Sequence, residues 1–241
     1  MERAVFDRME AIDSSHWWFT GRRAILGELL RRHAPADTRR VLEVGCGTGS
    51  NLAMLGAFGR VDAIEPDDGA RAIAAARSGI AVAGGLLPDG VAIEDGAYDV
   101  IVLLDVLEHI ADDRAALALL AAKLAPGGRL VITVPAAPWM WSAHDVAHHH
   151  HRRYDWPTLR ARLAEAGLRT RHHTHFNTLL YPLVALARVA GRITGREGGD
   201  DALPAGPINR LLGAVFAFER RWAARRRVPI GVSLAVVAER A

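Results

Sequence analysis

The densest chemical signal in this 241-residue chain is Val41-Leu-Glu-Val-Gly-Cys-Gly-Thr-Gly-Ser50, followed by Glu65 at the end of a second apolar run. Closely spaced glycines after a β-branched run let backbone approach a ligand where side chains would block it. A carboxylate after the next strand can accept both hydroxyls of a ribose. Together these residues describe a nucleoside site. A dinucleotide fingerprint would place glycine or alanine at position 50, where this chain has Ser50. Glu43, two residues before Gly45, falls on the same strand face, and its carboxylate repels a pyrophosphate but suits an ammonium or sulfonium. The ligand expected from these residues is a cationic adenosine, S-adenosylmethionine.

A second group of residues could move protons or hold charge. His109 follows an apolar run and can take a proton from a hydroxyl or amine near neutral pH. Glu108 and His109 can equally cap or brace the next helix. Ser142-Ala-His-Asp145 through His148-His-His-His151-Arg-Arg-Tyr154 suits a substrate carboxylate, phosphate or phenolate. Metal binding is not expected there, because metal sites show defined spacing rather than a run of histidines. Near the start, His16, Trp17, Trp18, Phe19, Arg22 and Arg23 lie together. Adjacent tryptophans cannot both face one way, so one packs inward while its neighbour can touch substrate.

In order and spacing, Glu43-x-Gly45-x-Gly47-x-Gly49, Glu65-Pro66, Tyr98-Asp-Val-Ile101 running into Leu104-Asp-Val-Leu-Glu-His109, and Leu124-Ala-Pro-Gly-Gly-Arg-Leu-Val-Ile132 closely resemble the class I S-adenosylmethionine-dependent methyltransferases. The resemblance covers roughly residues 40–135. A narrower one rests on His16-Trp-Trp-Phe19 with Arg22-Arg23, and on His144-Asp145 with His150-x-Arg152-Arg153-Tyr154. It is to a bacterial subgroup distantly related to ubiquinone-type O-methyltransferases. The resemblance implies that Glu43, Cys46, Pro66 and the backbone of Gly45, Gly47 and Gly49 line the cofactor, with Glu65 on the ribose. It places Leu86 or Leu87 beside adenine and Asp105 with Val106 at the methionine end. It implies catalytic roles for His109, His144, Asp145, His150, Arg153 and Tyr154, substrate contact for Trp17, Trp18 and Arg22, and S-adenosylhomocysteine as product. His148 and His151 fall outside the subgroup pattern.

The elements that must position these residues alternate. Residues 1–33 read as helical, with Phe6, Met9 and Ile12 on one face and Ile25, Leu26, Leu29 and Leu30 on another. Strands are expected near 40–45, 61–65, 80–84, 98–104, 129–134, 168–176 and 232–239. Helices are expected near 49–57, 67–78, 112–125 and 156–166. Two more, near 178–193 and 207–226, flank the Gly/Asp-rich tract Arg196–Asp201. Such alternation implies a parallel sheet with ligands at its carboxyl edge. With the resemblance, the fold class is α/β and Rossmann-like, with seven mostly parallel strands, an antiparallel last strand, an N-terminal helical lid and a helical insertion between strands six and seven. The expected layout is one methyltransferase domain over 1–241, with a cap at 1–38, a cofactor-binding core at 39–176, the insertion at 177–230 and the last strand at 231–241.

Composition narrows the partners. Half the residues are apolar, but no uninterrupted run reaches bilayer-spanning length and no leader pattern opens the sequence. The single cysteine, Cys46, cannot form an internal disulfide, and a reducing cytoplasm is the default location. Net charge is +3, yet Lys123 is the only lysine and no basic stripe interleaves with aromatics, which argues against nucleic acid. The apolar stretch Thr178–Ala187 and the basic amphipathic Ile208–Arg227 can form a substrate lid or a homodimer interface, or lie on anionic lipid across 178–226. The expected activity is methylation of a small-molecule or lipid-linked acceptor, at a hydroxyl or carboxyl oxygen, in secondary metabolism or cell-envelope synthesis. N- or C-methylation, dinucleotide-dependent oxidoreduction and non-enzymatic nucleoside binding are the alternatives.

Overall fold

Val41–Val44 and Val100–Leu104 are buried on both faces, as in strands covered by helices on two sides. The computed structural model describes residues 10–91, 93–194 and 204–241. Its strands are β1 (Arg40–Val44), β2 (Arg60–Ile64), β3 (Val82–Ala83), β4 (Tyr98–Leu104), β5 (Leu124–Pro135), β6 (Leu168–Phe176) and β7 (Ser233–Arg240). They form a seven-stranded sheet in the order β3-β2-β1-β4-β5-β7-β6. Only β7 runs against its neighbours β5 and β6. The expected antiparallel last strand therefore lies between the fifth and sixth.

The helices are α1 (Trp17–His33), α2 (Leu52–Leu55), α3 (Asp68–Ser78), α4 (Asp113–Lys123), α5 (Ala143–Ala147), α6 (Trp156–Glu165), α7 (Tyr181–Thr194) and α8 (Gly206–Ala223). Local chemistry starts three of them: Asp67, Asp112 and Asp155 each accept a backbone N–H three residues on, at 2.8–3.0 Å. Gly79, left-handed at φ +70°, ends α3. Alternation along the strands divides the core in two. Leu42, Ile101, Leu103, Ile132 and Val236 pack with Leu117 and Leu120 of α4 and Leu159 and Leu163 of α6. Val41, Val100, Val102, Val131 and Val237 pack with Ile25, Leu26, Leu29 and Leu30 of α1 and Phe216 of α8.

Several expected boundaries move. The helix expected at 49–57 contracts to Leu52–Leu55, because Gly49 at φ +79° still belongs to the turn. The helix expected to reach 125 stops at Lys123, and Leu124 already extends into β5. The stretch at Ser142–Tyr154 is not all loop: Ser142 and Asp145 form a reciprocal capping box at the start of α5. Phe6, Met9 and the Arg196–Asp201 tract lie outside the described residues.

The segment between β6 and β7 is anchored at both of its helices. In α8, Phe216 is fully buried, stacked on Phe176 and edge-on to Trp17, with ring centroids 6.1 and 5.6 Å away. Asn209 accepts the Trp17 N–H at 2.9 Å and donates to the Ser15 carbonyl. Glu219, fully buried, accepts the backbone N–H groups of Thr178 and Leu179 ahead of α7. No residue of α7 is buried, yet it is tied to the loop after β5 by Arg188 on the Ser142 hydroxyl and Arg192 on the Trp141 carbonyl.

At Gly21, α1 packs directly against Phe216 of α8. A Cβ there would stand 2.4 Å from Phe216 Cδ1, whereas a Cβ at Gly213 would meet nothing nearer than 3.7 Å. Gly21→Val is expected to cost about 1–3 kcal/mol through overpacking, and Gly213→Ala to stabilise by about 1 kcal/mol through helix propensity. Thermal melts of the two variants, moving in opposite directions, would verify this contact.

Candidate active site

The ends of β1 and β4 open into a cavity of about 940 Å³. Gly45 makes it by its lack of a side chain: a Cβ there would stand 2.6 Å from Val106 Cγ2. Gly47, at φ +54°, would place a Cβ in open space with no neighbour within 4 Å, so its backbone can be covered closely by a ligand. Gly47 also donates its N–H to Glu65 Oε2 at 2.8 Å, while Asp67 N donates to Oε1 at 3.0 Å. Two amides thus aim the Glu65 carboxylate, which burial pushes up from its ordinary pKa despite those bonds. Its remaining lone pairs suit the two hydroxyls of a ribose.

Glu43 is corrected in position. It does not line the cavity but lies buried behind the turn, where Oε1 accepts from Asn51 Nδ2 at 2.8 Å and Oε2 has no partner among the described residues. Burial, with Glu65 adding, pushes its pKa up to about 7, against the opposing bond from Asn51 and charge of Arg22. Asn51 does line the cavity, and Glu43 holds its side-chain amide from behind. Gly49 is also corrected. Its Cβ would meet Ala74 and Leu52 at 3.0–3.1 Å, so it serves the packing of the turn against α3 rather than a ligand.

Cys46, Pro66, Leu86, Leu87, Asp105 and Val106 line the cavity as expected from their positions. Leu86 is 65% exposed and available as a wall, while Leu87 belongs largely to the core. Burial pushes the Cys46 thiol up, which leaves it an inert neutral group. Asp105 has left-handed backbone at φ +58°, a conformation costing a non-glycine residue about 1–3 kcal/mol. Its N–H is held by the Thr133 carbonyl at 3.0 Å and its carboxylate by Arg22, reaching over from α1. The Arg22 guanidinium lies 4.8 Å from the centre of the Trp18 ring. Trp17 and Trp18 both line the cavity and both are half-buried, so neither is purely core.

The opposite wall carries imidazoles. His109 sits in a 3-10 turn, Leu107–His109, and not on a longer helix. Burial and then the neighbouring His150 push its pKa down to about 3, so it is a neutral base at physiological pH. His109 and His150 meet edge to face at 4.6 Å, and His144 lies 4.2 Å from His148. Asp145 and Tyr154 are corrections: both are fully buried and neither lines the cavity. Asp145 instead organises the wall. It accepts from Arg153 Nε at 2.7 Å, from the Ser142 N–H at 2.9 Å, and lies 2.9 Å from His150 Nδ1. Burial alone would raise it, but His150 and Arg153 outweigh this and hold its carboxyl well below the ordinary range. Tyr154 donates to Asp113 Oδ2 at 2.9 Å beneath α4, where burial and Asp113 push its phenol up.

Sequence reasoning underrated Glu108 and His148. Both line the cavity, and Glu108 is fully buried with its pKa pushed well up by burial and by Asp105. Leu183, Val184, Ala187 and Arg188 of α7 complete the far side. Their only sequence signal was the apolar character of the stretch that begins at Thr178.

Known proteins resemble this chain in the same terms. The methyltransferase-domain family matches residues 18–173. A ubiquinone biosynthesis O-methyltransferase of Caulobacter is 35% identical over 108 residues, which are 41% of each chain. The match thus spans about two-fifths of that relative's length. Among solved structures, a chain of the complex between the Haloferax volcanii Trm112 methyltransferase activator and a methyltransferase superposes with a TM-score of 0.65, at 19% identity over 98% of this chain and 94% of that one. A SAM-dependent methyltransferase of Archaeoglobus fulgidus gives a TM-score of 0.59, at 16% identity over 90% of this chain and 94% of its own. The fold and the glycine turn define a class I, S-adenosylmethionine-type methyltransferase architecture. This chain belongs to the methyltransferase-domain family.

Two substitutions probe the cofactor half. Glu65→Ala is expected to weaken S-adenosylmethionine binding by at least tenfold in calorimetry, with the melting temperature little changed. Glu43 holds its proton more tightly folded than at its ordinary value of 4.5, so its contribution to stability is full below about pH 4.5 and is lost as pH rises through about 7. In Glu43→Gln that loss is expected to vanish, and ligand-free melting curves collected between pH 5 and 8 would show a flatter decline than the parent's.

Proposed function

We propose that this protein transfers the methyl group of S-adenosylmethionine to a hydroxyl or carboxyl oxygen of a small or lipid-linked acceptor. One observation carries the reading: the glycine turn with its aimed Glu65 and the wall of histidines share a single cavity. S-adenosylmethionine supplies an electrophilic methyl on a sulfonium, already a good leaving group. The residues therefore have mainly to orient. Positioning is worth about 7–11 kcal/mol in such reactions, and a base adds about 10²–10⁴-fold. Gly47, Asn51 and Glu65 hold the nucleoside end, Asp105 and Val106 bound the methionine end, and His109, His144 and His150 face the acceptor. The relation to an O-methyltransferase of ubiquinone biosynthesis supports oxygen as the accepting atom.

The acceptor end is bounded by cationic and aliphatic groups together, with Arg153 and Arg188 beside Leu183, Val184 and Ala187. That mixture suits an acceptor with an anionic or phenolic head and an apolar body. Residues 177–230 would then act as the substrate-shaping insertion and residues 1–38 as the cap. Outside the cavity, Leu186, Val189, Ile193, Ile208, Leu211 and Phe218 leave apolar surface exposed on α7 and α8. No helix among the described residues is long and apolar enough to cross a membrane. A cytoplasmic enzyme whose insertion meets a second copy or a lipid surface accommodates both facts.

Calorimetry with S-adenosylmethionine and S-adenosylhomocysteine should give micromolar binding, and a panel of hydroxyl and carboxyl acceptors should release S-adenosylhomocysteine. His144→Ala and His150→Ala are expected to lower kcat by 10²-fold or more while cofactor affinity stays unchanged. Loss of cofactor binding in the unaltered protein would reject the methyltransferase assignment.

A further inference from the structure

We propose that Asn177 determines which molecules occupy the far end of the cavity, by accepting a hydrogen bond from a hydroxyl or amine of the ligand bound there; that this ligand is the methyl acceptor rests on the methyltransferase reading. Asn177 is 2% exposed and lines the cavity, yet its Oδ1 has no hydrogen-bond partner among the described residues. A buried carbonyl oxygen without a donor is costly. In a preformed cavity the molecule that binds can supply the donor.

The side chain is held in place from behind. Its backbone is left-handed at φ +56°, a conformation that asparagine tolerates better than most residues. Glu219, fully buried on α8, accepts the backbone N–H groups of Asn177, Thr178 and Leu179, those of Thr178 and Leu179 at 3.0 and 2.7 Å. Three successive amides on one carboxylate fix the turn that follows β6. Thr178 fastens the same turn from its other side, its hydroxyl donating to the Ile230 carbonyl at 2.7 Å. Glu219 is therefore a positioning residue that acts through Asn177, and it ties the helical insertion to the cavity wall.

The order of the sheet says which molecule Asn177 meets. Glu65 follows β2 and Asp105 follows β4, whereas Asn177 follows β6, three strands beyond β4. At the usual spacing between strands this is about 14 Å along the sheet. A cofactor lying from Glu65 to Asp105 ends short of that point, so the donor belongs to a second molecule. The cavity is also walled by Leu183, Val184 and Ala187 of α7. The ligand class that fits is an apolar body carrying a hydroxyl or amine apart from the atom that is methylated. A fixed acceptor oxygen of this kind rejects an analogue that lacks the donor, because the oxygen is then left buried and unpaired.

Phenol and fluorobenzene are the probes, since fluorine replaces the hydroxyl at similar size and removes the donor. Each would be titrated by ligand-detected NMR with and without S-adenosylhomocysteine, whose own affinity is measured by calorimetry, and folding would be checked by circular dichroism. In Asn177→Gly, which accepts the positive φ, the phenol-to-fluorobenzene affinity ratio should fall about tenfold. Asn177→Asp keeps an acceptor oxygen and should keep the ratio. Glu219→Gln should lower it at least threefold, with S-adenosylhomocysteine affinity at the parent's value in all three variants. The proposal is overturned if phenol does not bind the parent, if the ratio survives in Asn177→Gly, or if Asn177→Asp loses it equally, which would mark a role in the turn alone. An unchanged ratio in Glu219→Gln overturns the positioning role. The expected ratios in a protein that binds no S-adenosylhomocysteine would uphold Asn177 as a ligand contact while removing the methyltransferase reading.

Discussion

The chemistry of this molecule depends on how closely the end of β1 can lie against the end of β4. These two strands are paired in parallel at the middle of the sheet, and the crossovers leave them toward opposite edges, β2 on one side and β5 on the other. A crevice opens at such a reversal because no connection covers it. Here the crevice is narrowed by one contact, the missing Cβ of Gly45 beneath Val106. Any side chain at 45 would drive the two strand ends apart. The glycine turn and Asp105 would then no longer face one another across a space the size of a nucleoside.

Around that contact the charges are arranged by burial rather than by number. Arg22 pairs with Asp105 across the cavity mouth and joins α1 to the end of β4. Asp145, with no exposed surface, gathers Arg153, His150 and the start of α5 into one network. A buried pair of this kind adds little net stability, because desolvation offsets most of the attraction, but it fixes geometry. The fixed geometry is what the histidine wall requires, since its imidazoles arise from two separate segments. Glu108 stands apart from this pattern as a buried carboxyl without a partner among the described residues.

The segment between β6 and β7 solves a different problem. A sheet edge and a cavity mouth must both be bounded, and α8 and α7 divide the task. Phe216 seats α8 on α1 and β6 through aromatic contacts and Gly21, while Glu219 holds the turn that launches α7. With no buried residue of its own, α7 rests on polar ties to the loop after β5 and presents aliphatic side chains to the cavity. Elements with few buried contacts open at low free-energy cost. The α7 side of the cavity is therefore the side best able to move.

Local patterns in the sequence determined much of this protein by themselves. The continuous apolar run set the strand at 98–104, the aspartate caps set the starts of α3, α4 and α6, and the spacing of Gly45, Gly47 and Glu65 set the glycine-turn side of the cavity. These are short-range effects, decided by sterics and hydrogen bonds within a few residues. Which side chains face the ligand was not decided locally. Glu43 turns toward Asn51, Gly49 serves packing against Ala74, Tyr154 seeks Asp113, and Asp145 works from behind the wall. The meeting of Glu108 and His109 with His150, across some forty residues of chain, exists only because β4 and β5 lie side by side. Burial and partner geometry are properties of the packed sheet, and no spacing along the chain encodes them.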